Sequence, residues 1–80
     1  MAFKFEIVKH LGIISERTDH EAHKWTKEVN MVSWNGRDPK LDIREWDENH
    51  IRMSKGMTLT DSEAEQICMI LHNYLAERRK

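Results

Sequence analysis

Apolar and polar residues alternate along the start of the chain. Phe5, Ile7, Leu11, Ile13 and Ile14 are set among Lys4, Glu6, Lys9 and His10, a pattern that predicts a strand with one buried face. The alternation slips around His10 to Gly12, and a bend or bulge is expected there. Ser15 to His23 is polar and reads as a loop. Lys24 to Trp34 is a second strand, rich in β-branched and aromatic residues. The turn dipeptide Asn35-Gly36 ends it, and Asp38-Pro39 extends the loop. In a third strand, Lys40 to Trp46, Leu41 and Ile43 fall on one face and Lys40, Asp42, Arg44 and Trp46 on the other. The Leu41/Ile43 face is expected to be the core and the opposite face to be bare.

Asp47 to Lys55 is a polar connection, and Met57 and Leu59 make a short fourth strand beginning at Gly56. Thr60 then supplies a helix N-cap, with Glu63 in capping-box position. Ala64, Ile67, Cys68, Ile70, Leu71, Tyr74 and Leu75 recur close to one helical face. Arg78, Arg79 and Lys80 suit the negative end of the helix dipole. The order β-β-β-β-α describes an α+β fold: one four-stranded antiparallel sheet with one C-terminal helix packed on a face of it. Residues 1–80 are expected to form a single domain.

A chain of 80 residues buries little core. Domains this small gain stability from disulfides, a metal or a partner subunit. Cys68 is the single cysteine, so an intrachain disulfide is excluded, and it reads as a small buried hydrophobe. The helix carries enough apolar residues to serve its own sheet and a second subunit, which points to a homodimer. The apolar runs are far too short to span a membrane and no signal peptide is evident, so a cytoplasmic protein without a membrane partner is expected.

Little in the sequence suggests catalysis. His20-Glu21-Ala22-His23 has its histidines one residue too close for the paired-histidine metal motif. The three glycines are scattered, so no phosphate-cradling loop forms. No carboxylate pair sits in an apolar setting. A non-enzyme without metal or cofactor is expected. The net charge of −1 fails a whole-chain test for nucleic-acid binding, but the charge is uneven. Between positions 24 and 55 stand all three tryptophans, Trp25, Trp34 and Trp46, together with Lys24, Lys27, Arg37, Lys40, Arg44, Arg52 and Lys55. Basic groups that track phosphates beside rings that stack on bases are how single-stranded nucleic acid is held. Of the three rings, Trp34 is expected to be the most buried.

Three blocks carry a family resemblance. Lys27-Glu28-Val29-Asn30-Met31-Val32-Ser33-Trp34-Asn35, Pro39 to Trp46 with its Asp42-Ile43-Arg44-Glu45 centre, and Lys55-Gly56-Met57-Thr58-Leu59-Thr60 before an amphipathic helix together resemble the positive cofactor four family of transcriptional coactivators, above all its short bacterial members. The resemblance implies a homodimer built through the helices, with curved sheets gripping single-stranded DNA. Arg44 would pair with phosphate, Trp46 would stack on a base and Lys55 would contact the backbone. Trp25, Lys27 and Lys40 would share that surface. The expected partners are single-stranded DNA, a second copy of the chain and the transcription machinery. The alternatives are RNA binding through the same face, or a protein-interaction module that uses it.

Overall fold

The computed structural model describes residues 4–79; Lys80, expected at the helix end, lies outside the described residues. The elements are β1 (Phe5–Thr18), β2 (Lys24–Trp34), β3 (Lys40–Asp47), β4 (Met57–Leu59) and α1 (Asp61–Arg78). The strands form one antiparallel sheet in the order β1-β2-β3-β4. At the β2–β3 turn, Asn35 (φ 52°) and Gly36 (φ 75°) both take left-handed backbone, and the Arg37 amide donates to the Trp34 carbonyl at 3.0 Å. Positive φ at both central residues defines the turn that matches strand twist and selects Asn-Gly. The helix begins with a complete capping box: the Glu63 amide donates to Thr60 Oγ1 and the Thr60 amide to Glu63 Oε1.

β1 runs four residues further than its polarity suggests, so Ser15–Thr18 is strand and not loop. Glu16, Arg17 and Thr18 pair with Thr26, Trp25 and Lys24; the ladder to β2 overrides the polar composition. The irregularity expected near Gly12 is one of three. The register slips between Ile7 and Lys9, between His10 and Gly12, and between Ile13 and Ser15, leaving Val8, Leu11 and Ile14 as the extra residues. Each slip sharpens bend and twist. Repeated every third residue, they curl the edge strand over the sheet.

The curl decides where the core lies. Phe5 on β1 and Trp46 on β3 have ring centroids 5.2 Å apart although β2 separates their strands. The face carrying Asn30, Val32, Asp42 and Trp46 is therefore the inside, and all four are fully buried. This reverses the expected polarity of β3. Val29, Met31, Leu41, Ile43 and Leu59 on the outer face are only half-buried, and Met57 is exposed. The cause is the helix. Its principal packing within the chain is against β4, and none of its residues is buried. It does not cover the Leu41/Ile43 face as expected, and Cys68 is exposed. The radius of gyration is 14.7 Å, against about 12 Å for a compact chain of this length.

Candidate functional site

Three residues expected on an open face belong to the inner one, and two of them are enclosed. Trp46 is fully buried, packed by Phe5 and by the His50 ring stacked at 5.8 Å, so its ring is no platform for a base. Trp34, expected to be the most buried tryptophan, is half-buried. Arg44 is largely buried and engaged. Its Nε and Nη2 donate to the two Asp42 oxygens, both at 2.7 Å, and Nη1 donates to the Ser54 carbonyl at 3.4 Å. Its guanidinium carbon lies 4.5 Å from the Trp34 ring centroid. Lys40, also on the inner face by register, is exposed at the far end of β3, where its charge helps hold the Glu63 carboxyl below its ordinary value, after the hydrogen bonds from Thr60.

Gly56 explains part of the Lys55-Gly56 block. A Cβ there would stand 2.4 Å from Arg44 Cβ and 2.4 Å from the Ile43 carbonyl oxygen. Only a residue without a side chain lets the chain entering β4 press against β3 this closely.

Glu28 organises the inner face further along. Its carboxylate accepts hydrogen bonds from Thr26 Oγ1, from Asn30 Nδ2 at 3.1 Å and from His50 Nε2 at 2.9 Å. Burial opposes its ionisation, but these bonds outweigh burial and hold the carboxyl below its ordinary value. His50 is thereby fixed over the sheet from the β3–β4 connection, and His10 Nδ1 donates to Asn30 Oδ1 at 2.7 Å from β1. Among the described residues no group of three His, Cys, Asp or Glu side chains is arranged to hold a metal ion.

The other expected residues lie on the outer face. Trp25 and Lys27 alternate onto it from β2, opposite Arg17 and Ser15 of β1 and Asp47 and Glu45 of β3. Trp25 is half-buried; its Nε1 donates to Asp19 Oδ2 at 2.9 Å, and the Arg17 guanidinium lies 5.5 Å from its ring centroid. Asp19 also accepts the amides of Glu21 and His23, both at 2.9 Å. The bonds from Trp25 and the two amides bring the Asp19 carboxyl down to about 2. Beside Trp25, a cleft of about 580 Å³ opens where the β1–β2 and β3–β4 loops meet, and one of about 440 Å³ opens between β1, β2 and the β3–β4 connection. Lys27, Arg44 and Lys55 line a groove of about 490 Å³ with an apolar floor of Ile43 and Met57. Lys27 and Lys55 are exposed.

The six expected residues thus divide. Trp25 and Lys27 share the outer face, with Lys55 lining the same groove as Lys27, Arg44 and Trp46 pack inside, and Lys40 stands apart. Sequence reasoning missed Arg17, which it took for loop. Its signal was present in the register, since a hairpin closing at residues 19–23 sets Arg17 directly across from Trp25.

The family model described as transcriptional coactivator p15 (PC4) matches residues 22–70. A protein of Treponema pallidum (strain Nichols), described as uncharacterized, is 38% identical over 61 residues, which cover 76% of this chain and 67% of the relative.

Proposed function

The chain belongs to the family of transcriptional coactivator p15 (PC4), and from that premise we propose that it binds single-stranded DNA as a homodimer, without base preference, where duplexes are opened for transcription, replication or repair. It acts by binding and not by catalysis. The observation that carries this reading is the outer-face cluster of Trp25, Lys27 and Lys55. It pairs a half-open indole with two exposed ammonium groups, one beside it on β2 and one across the groove. Stacking on Trp25 is indifferent to base identity, and the lysines attract phosphate. The motif residues Arg44 and Trp46 serve this surface from inside, by fixing the curl of the sheet.

The helix supports the dimer. Leu71, Tyr74 and Leu75 remain 51%, 54% and 45% exposed on one stripe of an 18-residue helix. Beside it, the outer-face patch of Met31, Leu41 and Leu59 is only half covered. A second copy supplies an apolar surface of matching size to both.

Fluorescence anisotropy of labelled oligo-dT tests the reading, with duplex DNA and oligo-U for comparison and a salt series. We expect preference for the single strand and a steep loss of affinity with salt. Trp25→Ala and a Lys27→Ala/Lys55→Ala double variant should each weaken binding while remaining folded, the double variant melting as the unaltered protein does. Sedimentation equilibrium should give a dimer that Leu71→Glu dissociates. Absence of oligo-dT binding at low salt would overturn the reading. One observation favours a second reading, a protein-interaction module: the apolar half of the outer face adjoins the basic half. A protein partner seated there would respond weakly to salt.

A further inference from the structure

Arg17 and Glu45 form the most exposed bidentate ion pair on the outer face. Arg17 Nε donates to Glu45 Oε2 at 2.7 Å and Nη2 to Oε1 at 2.9 Å. The Arg17 side chain is 49% exposed and that of Glu45 18% exposed. The pair stands inside the cluster just described. Arg17 lies over the Trp25 ring, and Glu45 sits opposite Lys27 and lines the same groove as Lys55. Hydrogen bonds from Arg17 hold the Glu45 carboxyl below its ordinary value, with a further contribution from the Lys27 charge.

A guanidinium fork fits a phosphate with the geometry it uses for a carboxylate. We propose that Arg17 is a phosphate-binding residue of the strand path, and that Glu45 occupies the phosphate's position in the free protein. The inference rests on the single-strand reading above and deepens it. Entry of the strand exchanges one carboxylate for one phosphate on Arg17. Glu45 does not then become an isolated charge, because Lys27 stands across from it on β2. The exchange makes binding weaker than the row of cations alone would give. It also favours ligands that deliver a base to Trp25 and a phosphate to Arg17 together, which a single strand does and a free anion does not.

The test is oligo-dT anisotropy across a salt series with the full chain, Glu45→Gln, Arg17→Ala, the double variant, and Glu65→Gln on the helix as a control for net charge. Removing a competitor held by an exposed ion pair should tighten binding about three- to fivefold. Arg17→Ala should weaken binding and make the log–log salt slope shallower by about 0.7, the value for one phosphate contact on a single strand. The gain from Glu45→Gln should vanish when Arg17 is alanine, and Glu65→Gln should give no comparable gain. An equal gain with or without Arg17 would mean that Glu45 acts only through general charge, and the inference falls. So it does if Glu45→Gln melts normally and binds no tighter while the unaltered protein binds oligo-dT. Failure of the unaltered protein to bind at all is the separate result that overturns the function reading, and this inference with it.

Discussion

Arg44 lays its guanidinium on Asp42, two residues back along the same strand, with both N–O distances at 2.7 Å and Asp42 fully buried. Removing one member of such a pair leaves the other buried and uncompensated, a loss of about 3 kcal/mol or more. Arg44→Ala should therefore lower the midpoint of urea unfolding substantially. Arg44→Lys should recover little, because an ammonium cannot span both carboxylate oxygens. Full stability in Arg44→Ala, with only nucleic-acid affinity lost, would return Arg44 to the role of a free phosphate ligand.

Trp46 makes the corresponding case for the aromatic residues. Truncating a fully buried tryptophan costs about 3–5 kcal/mol, a large share of the 5–15 kcal/mol typical of a domain. Trp46→Ala should be largely unfolded by circular dichroism at 37 °C. Trp46→Phe should fold and keep its oligo-dT affinity, whereas Trp25→Ala should fold and lose it. Affinity lost in a well-folded Trp46→Phe would put that ring at the nucleic-acid surface after all.

The elements were legible because each rests on local chemistry. Asn35-Gly36 selects its turn, Thr60 and Glu63 cap their helix, and the strand pattern from Lys24 to Trp34 matches β2 at both ends. The faces were not, because period-two alternation separates two sides of a strand without saying which is covered. On β3, Leu41 and Ile43 look like core and Asp42, Arg44 and Trp46 look like surface. Tertiary structure reverses this, since the bulges at Val8, Leu11 and Ile14 curl β1 inward and Asp42 neutralises Arg44. Trp25 and Lys27, which the resemblance implies share a surface, do alternate onto one face. Arg17 was lost because a charged stretch before a loop resembles loop.

Gly56 offers a test of the tight entry into β4. An alanine methyl would meet the Ile43 carbonyl oxygen, which belongs to backbone and cannot swing aside. Relief requires the β3–β4 ladder to part, at a cost of about 1–3 kcal/mol. Gly56→Ala should lower the thermal midpoint and speed amide exchange at Leu41, Ile43 and Leu59 more than along β1. Uniform exchange across the sheet would contradict a local clash.

Asp19 links the Trp25 ring to pH. Its carboxyl falls from 3.8 to about 2 because the charged form accepts the Trp25 indole N–H and the His23 and Glu21 amides. A carboxylate lowered by folding stabilises the native state above its unfolded value, and that contribution is lost as pH falls through the folded value. Asp19→Asn should therefore melt below the unaltered protein by a constant margin above about pH 5, since proton uptake there is negligible in both states. Between pH 4 and pH 2 the margin should shrink toward zero as the native carboxylate protonates. Released from Asp19, the indole should also show altered fluorescence and weaker oligo-dT stacking at neutral pH. A melting margin as large at pH 2 as at pH 7 would mean that the β1–β2 loop depends on the shape of Asp19 and not on its charge.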